Sequence, residues 1–121
     1  MSISAASLES KAKKQGWLIK QGGAIKTWKR RWFVLHGESL YYFKSPTDEE
    51  ITGCIELLGE EGCGEPSINN AANVRHEPQK SGKKKFMLSI STAKRVWWLH
   101  AETKEEADEW LAALRLSLIH I

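Results

Sequence analysis

From Gly16 to Lys44 the chain runs as three short segments rich in aromatic and β-branched residues, separated by turn residues, and this stretch constrains the fold more than any other. It runs Gly16-Trp-Leu-Ile-Lys-Gln21, a Gly22-Gly23 break, Lys29-Arg-Arg-Trp-Phe-Val-Leu-His36, a Gly37-Glu38-Ser39 turn and Leu40-Tyr-Tyr-Phe-Lys44. Extended segments bounded by turn residues predict three antiparallel strands, over Gly16–Gln21, Lys29–His36 and Leu40–Lys44. Side chains alternate across a strand, so Lys29 and Arg31 share a face with Phe33 and Leu35, Lys20 with Leu18, and Tyr42 with Leu40. Cations in line with core positions cannot lie buried and unpaired, because desolvating an isolated charge is very costly. They belong at the mouth of the sheet, where the first strand ends, the second begins and the third ends. Lys20, Lys29, Arg31 and Lys44 then gather on one rim that suits an anion carrying several phosphates. The competing reading pairs them with Asp48, Glu49 or Glu50 of the next loop, in surface ion pairs worth ~0–1 kcal/mol each.

The rest of the chain supplies what must pack against these strands. Further strands are expected over Thr52–Leu57, Asn73–Glu77, Phe86–Ser91 and Val96–Ala101, with the acidic, Gly/Pro-bearing stretch Gly59–Asn70 as loop. After residue 102 the period changes. Thr103-Lys-Glu-Glu106 has the form of a capping box, and Ala107, Trp110, Leu111, Leu114 and Leu118 recur every three or four residues, giving a helix of about four turns with one apolar stripe. Seven strands closed by one amphipathic helix suggest a small barrel or sandwich plugged by that helix. Residues 1–14 are small, polar and lysine-ended without sustained period, so a flexible lead-in is expected there and a single domain over 15–121.

The net charge of +3 hides segregation: residues 1–44 carry +7, 45–79 carry −7, 80–95 carry +6 and 96–121 carry −3. Such a dipolar chain orients in the field of an anionic surface. Apolar runs stay far below the ~20 residues of a membrane span, and Met-Ser-Ile-Ser lacks the Gly needed for myristoylation, so contact with a membrane is expected to be peripheral. Cys54 and Cys63 show no metal-like or CxxC spacing, which reads as two inert thiols in a reducing, cytoplasmic compartment.

The segments Gly16-Trp17-Leu18-x-Lys20, Lys29-x-Arg31-Trp32-Phe33 and Leu40-Tyr41-Tyr42-Phe43, with Trp110 in the closing helix, resemble the pleckstrin-homology domains over roughly Gln15 to Ile119. The resemblance implies a seven-stranded antiparallel β-barrel or sandwich of two sheets, capped by the helix and with Trp110 in the core. Lys20, eight intervening residues and then Lys29-x-Arg31 with two hydrophobic residues is similar to the signature of members that bind 3-phosphorylated inositol lipids. A headgroup site at Lys20, Lys29, Arg31 and Tyr42 is therefore implied, with Gly22, Gly23, Thr27, Lys44, Lys94 and Arg95 at its periphery. Gly22 and Gly23 suit a close backbone approach to ligand or simply a turn, and Ile25 beside Lys26 suits either insertion into the membrane interface or ordinary loop packing. Phosphatidylinositol 3,4,5-trisphosphate or 3,4-bisphosphate is the implied lipid, on an anionic membrane surface that recruits the parent protein. Ala24 and Thr52 depart from the family pattern, standing where tight binders carry cations, which leaves the isomer open. The Lys80–Lys85 loop is either solvated or a second contact with anionic lipid.

Other function classes fit less well. His36, His76, His100 and His120 are scattered, without metal-like spacing or a partnered nucleophile, so neither catalysis, metal nor cofactor is expected. Basic residues interleaved with Trp17, Trp28 and Trp32 resemble a nucleic-acid stacking groove, but Trp32 alternates away from Arg31. A protein-interaction module of the same fold is the stronger alternative, with the Asn69–Glu77 edge as a place for a partner strand. The isolated domain is expected to be a monomer.

Overall fold

The computed structural model describes residues 4–9, 11–22, 27–57, 73–77, 86–92 and 96–119. In chain order these form α1 (Ala5–Glu9), β1 (Lys14–Gln21), β2 (Trp28–His36), β3 (Ser39–Phe43), β4 (Gly53–Glu56), β5 (Asn73–Glu77), β6 (Met87–Ser91), β7 (Val96–His100) and α2 (Lys104–Ile119). All strand pairs are antiparallel, in the order β4-β3-β2-β1-β7-β6-β5. The strands expected to form a barrel or a sandwich of two sheets are thus one continuous ladder, in which β1 and β7 join where Ile19 faces His100 and Lys20 faces Leu99. The strands fall within two residues of the expected bounds, and Gly37 takes a φ of 62° in the β2–β3 turn, a conformation that glycine adopts without steric cost.

The concave face holds the core. Leu18, Phe33, Leu35, Leu40, Ile55, Leu88, Ile90 and Leu99 from the sheet meet Ala107, Trp110 and Leu114 from α2, all buried. Trp110 is fully enclosed, as the family resemblance implied, and its indole N–H has no hydrogen-bond partner. The helix stripe also contains Ser117, whose buried hydroxyl donates to the Ala113 carbonyl at 3.3 Å. At the start of α2 the Glu106 amide donates to Thr103 Oγ1 at 3.1 Å, which is half of a capping box. Glu106 itself turns to Lys14, its carboxylate 3.5 Å from the ammonium, and Glu109 joins it at 3.1 Å. This clamp seats α2 beside the beginning of β1, six residues or about 20 Å from Lys20 near the strand's far end.

The convex face is not wholly polar. Ala5 and Leu8 of α1, inside the stretch expected to be a lead-in, form a second apolar cluster with Val34 and Phe43. Their spacing of three puts both on one side of a single helical turn, a signal too short to register as periodicity in the sequence.

Candidate functional site

The open end of the sheet is built by the register of its strands. Lys20 lies directly opposite Lys29 across β1 and β2, and Leu18 lies opposite Arg31. Directly opposed residues share a face, so both lysines and Arg31 project on the core side, just beyond the last buried layer of Leu18 and Phe33. On the other flank Trp32 faces Phe43, the last residue of β3, and Lys44 follows it as an exposed bend residue. Two like charges face to face are mutually destabilising by a few tenths of a kcal/mol to about 1 kcal/mol unless an anion lies between or above them. Among the described residues no carboxylate forms an ion pair with Lys29, Arg31 or Lys44. The acidic loop behaves differently from the competing expectation. Asp48 takes the Lys44 amide rather than its ammonium, at 3.2 Å.

The aromatic floor organises these cations. The Lys20 ammonium sits 4.9 Å from the centre of the Tyr42 ring and 5.7 Å from that of Trp97. Tyr42 is itself stacked at a tilt on buried Phe33, ring centres 5.3 Å apart, and meets Trp97 edge-on at 6.2 Å. A ring face attracts an ammonium and holds it in place. Arg31 donates one N–H to the Arg30 carbonyl at 2.9 Å, which orients the guanidinium fork. The Gly22 amide donates to the Thr27 carbonyl at 2.8 Å, closing the base of the β1–β2 loop beside the rim and placing exposed Thr27 there. Gly23, Ile25, Lys26, Lys94, Arg95 and the Lys80–Lys85 loop lie outside the described residues.

Two residues that the sequence reading did not single out shape the site. Gly53 faces Tyr42 across β3 and β4, and a Cβ at 53 would meet the Tyr42 hydroxyl, Cζ and, at 2.8 Å, Cε2; the glycine makes the space in which the ring lies. Trp97 walls the other side of Lys20, and its parity with buried Leu99 in β7 was the available signal. Arg30, between Lys29 and Arg31, points the other way. It stacks 4.0 Å over Trp17 and pairs with Glu102 at 2.9 Å, with Trp32 edge-on to Trp17 at 5.4 Å. Trp28, too, is an outer-face residue, edge-on to His100 at 5.2 Å.

Cys54 lies in β4 beside Glu56, whose carboxylate accepts from Sγ at 3.2 Å and from the Ser39 hydroxyl at 2.8 Å. Burial, followed by that hydrogen bond and the charge of Glu56, pushes its pKa up to about 12, which makes it a poor nucleophile. Among the described residues no group of three His, Cys, Asp or Glu side chains is placed to hold a metal ion.

A concave antiparallel sheet packed against a C-terminal helix is shared with known proteins. The chain belongs to the PH domain family, whose profile matches residues 12–118. It is 43% identical over 105 residues to a PH domain-containing protein of Dictyostelium discoideum, covering 87% of this chain and 20% of that protein. Mouse cytohesin-4 is 34% identical over 116 residues, covering 89% of this chain and 30% of the relative. The chain thus spans less than a third of either relative. Among solved structures, the C-terminal PH domain of pleckstrin in complex with D-myo-Ins(1,2,3,4,5)P5 superposes with a TM-score of 0.66 at 29% identity, over 86% of this chain and 95% of that one. The PH fold is a non-catalytic module, and no helix among the described residues is long and apolar enough to cross a membrane.

Proposed function

We propose that this domain binds the polyphosphorylated headgroup of phosphoinositide lipids at the Lys20, Lys29, Arg31, Lys44 rim, with Tyr42 as its floor, and so recruits its parent protein to cytoplasmic membrane surfaces. The observation that carries the reading is the direct opposition of Lys20 and Lys29 on the core side of the open end, with Arg31 beside them. Four cations near an anionic leaflet contribute about 4 kcal/mol, which is millimolar attraction and no more than a weak holdfast. Charge-assisted hydrogen bonds to phosphate, about 1.5–3 kcal/mol each, bring the affinity to micromolar or tighter. The inositol pentakisphosphate bound to the pleckstrin domain supports this ligand class. A preference for 3-phosphorylated lipids is supported by the resemblance of Lys20 and Lys29-x-Arg31 to the signature of family members that bind such lipids.

Titration of vesicles carrying each phosphoinositide isomer, at fixed salt, tests the reading. Saturable binding that depends on headgroup phosphorylation and collapses in Arg31→Ala is expected. Indifference to both the phosphate pattern and the substitution overturns it. One observation favours a protein partner instead: Arg30, Trp17 and Trp32 cluster on the outer face, and Arg and Trp are the types that dominate binding hot spots. Capture of a defined protein by a lipid-dead Lys20→Ala/Arg31→Ala variant would support that second reading.

A further inference from the structure

Alternation along β2 and β3 sends Val34 and Phe43 to the convex face, where an antiparallel sheet ordinarily meets water. Both are nevertheless 0% exposed, because Ala5 and Leu8 of α1 cover them, with Ala12, Trp32 and Tyr41 packed around the cluster. Phe43 is the chain neighbour of Tyr42, which alternates to the core side, and of Lys44, the exposed residue that follows the strand. Holding Phe43 from behind therefore fixes the backbone that presents both residues.

The same helix is fastened to the loop that follows. The Ala5 amide donates to the Asp48 carbonyl at 3.0 Å. The Asp48 carboxylate accepts from the Lys44 amide at 3.2 Å and from the Ser45 hydroxyl at 3.0 Å, and its own amide donates to the Ser45 carbonyl at 3.2 Å. The far side of the loop is closed by the Thr52 amide, which donates to the Tyr42 carbonyl at 2.8 Å. Residues 43–48 are thus gripped by α1 at two points, one apolar and one hydrogen-bonded. Lys44 lies between them.

We propose that α1 is a positioning element of the headgroup mouth: docked on Phe43 and Asp48, it holds the backbone that carries Lys44 at the end of β3, so that docking of the helix and binding of a polyphosphorylated inositol reinforce each other. The inference rests on the proposed anion site. Coupling between two sites is reciprocal, so a ligand that gains affinity from docked α1 must tighten α1 by the same factor. The helix supplies no atom to the ligand; it acts through the strand and loop that carry Lys44.

Leu8→Gln, which introduces a polar but uncharged side chain into the cluster, and the conservative Leu8→Met test this, with D-myo-Ins(1,2,3,4,5)P5 as the probe in calorimetry at a temperature where circular dichroism shows the chains folded. Leu8→Gln is expected to bind about fivefold more weakly, the low end of typical couplings, and Leu8→Met to bind like the unmodified chain. In a Lys44→Ala background, Leu8→Gln is expected to add no further loss, since non-additivity marks groups that act through one another. Hydrogen exchange at the Ala5 amide of the unmodified chain requires no variant and is expected to slow when the probe is added. Equal binding by a folded Leu8→Gln chain, an undiminished fivefold loss in the Lys44→Ala background, or Ala5 exchange indifferent to ligand would each overturn the coupling while leaving the anion site intact. Failure of the unmodified chain to bind either the probe or phosphatidylinositol 3,4,5-trisphosphate vesicles would instead remove the site itself, and this inference with it.

Discussion

Replacing Gly53 by alanine probes how the floor of the mouth is made. The new methyl carbon would occupy space now filled by the Tyr42 ring, meeting its hydroxyl, Cζ and, at 2.8 Å, Cε2. The backbone of Gly53 is outside the left-handed region, so alanine is not strained there and should gain about 0.4–1 kcal/mol by restricting the unfolded chain. Overpacking costs about 1–3 kcal/mol, so the net loss of stability is expected to be about 1–2 kcal/mol. The ring cannot simply swing aside, because it is stacked on Phe33 and meets Trp97, and any displacement also takes it from under the Lys20 ammonium. Losing a partly exposed cation–π contact of about 1 kcal/mol should weaken headgroup binding about fivefold. Urea unfolding gives the first quantity and calorimetric titration with an inositol polyphosphate the second. In a Tyr42→Leu background, where the ring is gone, Gly53→Ala should become neutral or mildly stabilising. An equal cost in both backgrounds would refute the idea that the glycine exists to house this ring.

Three further outcomes follow from the geometry. With Cys63 replaced by serine, Cys54 should react slowly with an aromatic disulfide at about pH 8, because raising the thiol from 9.0 to about 12 leaves about a thousandfold fewer thiolates, of which a more nucleophilic sulfur recovers about twentyfold; the folded chain should therefore label about fiftyfold more slowly than the urea-unfolded one, and equal rates would refute the shielding. The sign for stability is the same as for any group protonated more tightly when folded: between pH 9.0 and about 12 the unfolded state loses its proton first, so stability falls as pH rises through that window, and Cys54→Ala should flatten the fall. Thr103→Ala should cost about 1 kcal/mol in urea unfolding by removing the acceptor of the Glu106 amide, whereas Thr103→Ser should cost little.

Much of the site could be read along single strands. Period-two parity assigned Lys29, Arg31, Lys20 and Tyr42 to the core side and Trp32 to the other, and the structure keeps that division, with Arg30 also turned outward onto Trp17 and Glu102. Less legible were features that need two elements at once. Glu106 has the spacing of a capping residue but is drawn to Lys14, which only the packing of α2 on β1 brings within reach. Gly53 could be any strand glycine until β4 is laid beside β3 and its missing side chain meets Tyr42.

Local periodicity and turn chemistry, carried by each short window of residues, determined the strands, the closing helix and the side of the sheet on which each cation stands. Tertiary structure alone decided which strand ends meet, putting Lys20 face to face with Lys29, and it decided that α1 covers Val34 and Phe43. The physical reason is range. Backbone sterics and alternation act over a few residues, whereas register and the burial of a second apolar face depend on surfaces distant in the chain that become neighbours only once the sheet has curled.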